Sequence, residues 1–155
     1  MYFRLQLKAV MDEKNKKEVV QTAAAGSKEG PGEGIVWLKL NNESINKLKA
    51  MYPPLYPNEY YHHVTLVFGT QRSLFEEIIG RDASVVVHAY ARDQNAEAVR
   101  VRTNDLPDTY GVPHVTLSTQ RGVKPFASVL MLQGDHHEEQ VDQFELSGKV
   151  EFIPL

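Results

Sequence analysis

The chain contains no cysteine and only one tryptophan in 155 residues. Without thiols there is no disulfide framework, no thiolate nucleophile and no cysteine-based zinc site. That fits a reducing compartment and makes the cytoplasm the expected location. Long apolar runs are missing as well, since no uncharged stretch approaches the roughly 18 residues a membrane helix needs. From Met1 to Lys14, polar Tyr2, Arg4, Gln6 and Lys8 alternate with apolar Phe3, Leu5, Leu7 and Ala9, a strand pattern and not a signal-peptide core. A soluble protein with no membrane partner and no secretion signal is therefore expected. Excess positive charge is also lacking. A formal net charge of −3 excludes a protein that coats long duplex nucleic acid through many phosphate contacts.

What is present is ordinary globular composition, 42% hydrophobic and 24% charged, in a length that suits one domain spanning residues 1–155. Alternation and β-branched content predict strands at Tyr2 to Val10, Ile35 to Leu40, His63 to Phe68, Ser84 to Tyr90, Ala98 to Thr103, His114 to Thr119 and Gln143 to Ile153. Helical patterns cover Asp12 to Ala25, Asn42 to Met51, Leu74 to Ile79 and Lys124 to Leu132. Gly26 to Gly34 is too rich in glycine and proline for regular structure and reads as a loop. A second loop, Tyr52 to Tyr60, carries Pro53, Pro54 and Pro57, which stiffen the approach to the strand that follows.

The tetrapeptide His-Val-Thr-Leu occurs at 63–66 and again at 114–117, a coincidence expected in roughly a few of a thousand chains of this composition. Each copy opens a predicted strand. Residues two apart on a strand share a face, so Val64, Leu66 and Phe68 point to the core while His63 and Thr65 point away from it. The second copy repeats the pattern, with His114, Thr116 and Ser118 on the open face. Two imidazoles and two hydroxyls suit phosphoryl chemistry. One histidine can take a proton from water while the other gives one to the leaving oxygen. The threonines can donate to the non-bridging phosphate oxygens. By the same alternation His62 faces the Val64 side and should matter far less. His88 lies in an apolar strand and reads as a sheet residue. Adjacent His136 and His137, with Glu138 and Glu139, lack a third ligand at zinc-type spacing, so no metal site is expected.

The paired signature, in the contexts Tyr61-His62-His63-Val64-Thr65-Leu66-Val67-Phe68-Gly69 and Gly111-Val112-Pro113-His114-Val115-Thr116-Leu117-Ser118, resembles that of the two-histidine (2H) phosphoesterase superfamily. The likeness runs from about Ile35 to the end of the chain. It implies an α+β fold of two antiparallel sheet lobes with flanking helices around a central cleft, one motif in each lobe. It also implies cleavage of ribonucleotide phosphodiesters such as 2′,3′-cyclic phosphates, 2′,5′ linkages or RNA ends, with no cofactor and with a nucleotide or short RNA as partner. His63, Thr65, His114 and Thr116 carry over as the catalytic set. The motifs lie 51 residues apart, a short interval for the family that puts the substrate pocket in doubt.

Around the motifs, Tyr61, Tyr110 and Phe126 are candidates to stack on a base. Ser118 shares the face of the second motif. Lys124, ahead of Pro125 at a helix start, is a candidate phosphate contact, with Ser128 a weaker one. Arg100, Arg102, Arg121 and Lys124 flank the second motif in sequence and could supply local positive charge. Two alternatives to the leading reading stand: hydrolysis of a cyclic or 2′,5′-linked nucleotide messenger, as in viral proteins that disarm host defence, and a non-catalytic nucleotide- or RNA-binding module.

Overall fold

The computed structural model describes residues 33–155. The Tyr2 to Val10 strand, the Asp12 to Ala25 helix and most of the Gly26 to Gly34 loop lie outside the described residues. The last two residues of that loop belong instead to the first described strand. In chain order the elements are β1 (Glu33–Leu40), α1 (Asn42–Met51), β2 (Asn58–Glu59), β3 (His63–Gln71), a 3₁₀ turn (Arg72–Phe75), β4 (Asp82–Arg92), β5 (Ala96–Arg102), β6 (His114–Thr119), α2 (Phe126–Gln133) and β7 (Glu138–Pro154). The fold is α+β with an antiparallel sheet, as expected. The Leu74 to Ile79 segment makes a 3₁₀ turn and further turns instead of an α-helix.

Strand order is β2-β6-β3-β1-β7-β4-β5, and β5 pairs back to β6, so six strands close into one ring with β2 as a short extension paired to β6. Pairing therefore runs without a break around a single sheet. Closure leaves little unpaired strand edge. Alternation turns one face of every strand inward: Val36 and Leu38, Val64 and Leu66, Val85 and Val87, Val99 and Val101, Val115, Leu146 and Val150 fill the ring at 2% exposure or less. Each such side chain contributes on the order of 1.5–3 kcal/mol relative to exposure. Helix α1 adds Leu48 to this core, and it starts cleanly because the Asn41 side chain accepts from the Ser44 amide. Helix α2 packs on the outer face, where Val129, Met131 and Leu132 meet Ala91, Ala98 and Val112. The small alanines of β4 and β5 let it approach closely.

One join in the ring differs from the rest. Strands β3 and β6 share a single registered pair, Val64 with Val115, whereas β1 and β7 share seven. The HVTL motifs sit on the two sides of this short seam.

Candidate active site

Antiparallel pairing of Val64 with Val115 sets His63 across from Thr116 and Thr65 across from His114. Both valines are buried in the ring. The four polar side chains consequently share the outer face, each motif's imidazole set against the other's hydroxyl. All four line one cleft of about 410 Å³, together with Ile35, Tyr60, His62, Phe68, Tyr110, Pro125, Phe126 and Val129. Apolar and aromatic walls around a few convergent polar groups are the usual make-up of a small-molecule site, and this volume suits a nucleotide. Phe68, expected on the core face, lines the cleft instead, because a bulge at Leu66 reverses the alternation and turns Val67 inward; it meets Tyr110 edge to face at 6.0 Å between centroids.

His114 is buried at the base of its strand, 6% exposed. Its Nδ1 donates to the Val112 carbonyl, which fixes the tautomer, and its Nε2 lies 3.1 Å from Ser128 Oγ. Ser128 Oγ also sits 2.6 Å from Thr116 Oγ1 and 2.8 Å from the Pro125 carbonyl. A hydroxyl has one proton and two lone pairs. With His114 neutral, Ser128 gives its proton to Nε2. With His114 protonated, Nε2 donates instead and the serine proton turns to Pro125. One rotor thus serves both charge states. Burial lowers the His114 pKa, the Val112 carbonyl opposes that, and the Arg100 charge lowers it further.

His63 is set differently. Its Nδ1 lies 3.0 Å from Nδ1 of His62, and its ring is stacked at 4.0 Å and 32° against Trp37 of β1. Desolvation, then the neighbouring His62 and His114, push its pKa down to about 3. Both shifts favour the neutral imidazole near pH 7.

His62 overturns the expectation drawn from alternation. Tyr61 takes a left-handed backbone conformation (φ 51) before β3 begins at His63, so strand periodicity does not reach back to residue 62. The turn swings His62 onto the cleft side, edge-on to Trp37. Tyr61 itself is not a stacking residue. Its side chain is wholly buried in the core, where its hydroxyl donates to the Tyr52 carbonyl. Ser118 also leaves the site. Between the pairs Ala98–Thr116 and Glu97–Ser118, Leu117 has no opposite, and this bulge turns Ser118 inward to donate to the buried Glu97 carboxylate.

Tyr110 and Phe126 line the cleft as expected; Lys124 is exposed and does not. Arg100, Arg102 and Arg121 are likewise absent from the lining, and Arg100 is bound to Glu138 at 3.3 Å. That carboxylate also meets His136 Nε2 at 2.6 Å, so the His136 segment is tied up in an ion-pair cluster. His88 sits in β4 at a register shift. The residues that sequence reasoning undervalued or missed are His62, Ser128 and Trp37. Ser128 carried a faint signal as a hydroxyl in the first turn of a helix.

A scan against protein-family models gives no match, and a search of curated protein sequences gives none either.

Proposed function

We propose that the protein is a metal-independent phosphodiesterase that opens or cleaves ribonucleotide phosphodiesters, in the manner of the two-histidine phosphoesterases its motifs resemble. The observation that supports this most directly is the crossed set of His63, Thr65, His114 and Thr116 on one face of adjoining strands in one cleft. In this reading the two motifs belong to the two flanks of a cleft, β3 on one side of the seam and β6 on the other. The phosphate binds over the seam. One imidazole takes a proton from the attacking water as the new P–O bond forms, and the other protonates the leaving oxygen. The threonine hydroxyls donate to the non-bridging oxygens and stabilise charge as it develops. A bound phosphate anion raises the proton affinity of both rings and so favours the protonated partner that the reaction needs. Phe68, Tyr110 and Phe126 offer faces to a base.

Purified protein in excess EDTA should convert 2′,3′-cyclic mononucleotides, a 2′,5′-linked dinucleotide or a cyclic dinucleotide to ring-opened or cleaved product. Which of the three turns over names the substrate class. Binding with no product from any of them would make the protein a binding module, and activity lost to chelator and restored by zinc or manganese would end the metal-free mechanism.

A further inference from the structure

The His62–His63 contact joins two nitrogens that each either carry a proton or accept one. An N···N hydrogen bond of 3.0 Å needs one proton between them. If His63 Nδ1 holds that proton, its Nε2 has a lone pair, and Nε2 has no protein partner among the described residues. His62 then accepts at Nδ1 and carries its own proton on Nε2. The second motif has no such arrangement, because His114 Nδ1 faces a backbone carbonyl that can accept but never take the proton. The two motifs are alike in sequence and unlike in what stands behind each imidazole.

We propose that His62 and His63 form a two-ring proton relay that makes His63 the general base and His114 the general acid, a deeper reading that rests on the phosphodiesterase assignment. As water attacks phosphorus, its proton passes to His63 Nε2 and the Nδ1 proton of His63 passes to His62 Nδ1. His63 ends neutral and His62 ends as the imidazolium. Meanwhile the Nε2 proton of His114 leaves its contact with Ser128 Oγ and passes to the leaving oxygen, so one proton enters the protein and one leaves. The charge arrives on the ring better able to hold it. Desolvation and the Lys39 charge lower the His62 pKa as well, with the Glu151 carboxylate opposing them, but by less than desolvation and the neighbouring His62 and His114 lower that of His63. Trp37 presents its edge-on neighbour and its stacked neighbour with the same indole, and its own N–H donates to Glu151 at 3.2 Å, which holds that carboxylate near the pair. The left-handed Tyr61, locked by its buried hydroxyl, stores backbone strain at the one residue that aims His62.

Three readouts on the full chain test this. In ¹⁵N-histidine NMR of the free protein, a trans-hydrogen-bond coupling should join the two Nδ1 atoms, and the first acid titration step should move both rings together, as expected of a coupled pair. His62→Asn keeps an acceptor near the Nδ1 position and removes the ability to take a proton; kcat on the substrate should fall roughly tenfold or more with KM unchanged. His62→Phe, which also loses tautomer control, should fall further, by about 10²-fold. In mixtures of light and heavy water the wild-type kcat should bend with deuterium fraction, as for two protons in flight, and the His62→Asn profile should be straighter. Wild-type kcat in His62→Asn, equal losses in the two variants, or an unchanged isotope profile would each overturn the relay. If wild-type protein turns over no phosphodiester, the assignment of function fails and the catalytic relay with it, while the NMR still decides whether the two rings share a proton.

Discussion

At the scale of single residues, the crossed arrangement makes separate demands on each side chain. His63→Ala and His114→Ala should each lower kcat by roughly 10²- to 10⁴-fold, the usual worth of a positioned acid or base. Thr65→Val and Thr116→Val keep strand preference and should cost at most a few kcal/mol of transition-state stabilisation, read from kcat/KM. Ser128→Ala should lower kcat about tenfold while leaving KM nearly unchanged, since the serine touches His114 and Thr116 and does not line the cleft. The pH dependence follows from two imidazoles whose pKa values both lie below the ordinary 6.5. The proposed reaction needs one ring neutral and one protonated, so kcat/KM should follow a bell centred below pH 6.5. The kcat profile should be displaced upward by the bound anion. Folding stability moves with the same groups. The unfolded chain binds more protons than the folded one once pH drops below 6.5, so stability is complete above that value and is lost as pH falls from 6.5 through about 3 for His63. Thermal melts between pH 7 and 4 should show this slope, flattened in His63→Gln and His114→Gln.

At the scale of elements, the strands were legible because each carries its own alternation. His114–Thr119 and Asn42–Met51 have the bounds that pattern and caps predict. What sequence could not give are the places where alternation stops, among them the left-handed turn at Tyr61 and the bulge at Leu117. Each moves a polar side chain across the sheet, bringing His62 into the site and taking Ser118 out of it. Neither has a glycine to announce it. Nor does local pattern foretell contacts between distant elements, such as Trp37 on His63 or α2 on His114. The bulge has its own use. Glu97, 1% exposed, accepts from Ser118, from the Tyr90 hydroxyl and from the Leu55 amide of the proline-rich loop. Glu97→Ala would strand three donors, at about 1–3 kcal/mol each where no water reaches them. A urea midpoint shift worth about 3 kcal/mol or more is expected, and an unchanged midpoint would mean that the loop is not held this way.

At the scale of the whole molecule, the ring joins both motifs through its shortest seam, so the site is the property of no single hairpin. The expectation of two sheet lobes came with the family likeness; the pairing forms one closed sheet that still sets one motif on each side of a cleft. Trp37 is the chain's single tryptophan and it lies on His63. All indole fluorescence of the protein therefore originates beside the His62–His63 pair. A protonated imidazole quenches an excited indole far more strongly than a neutral one, so emission intensity should report the charge of the histidine pair directly, without label or cofactor. Acidification should dim it along the pair's titration, and His62→Phe should displace that curve. Rapid mixing with a nucleotide would then display proton arrival at the pair in real time, as a loss of light from one residue.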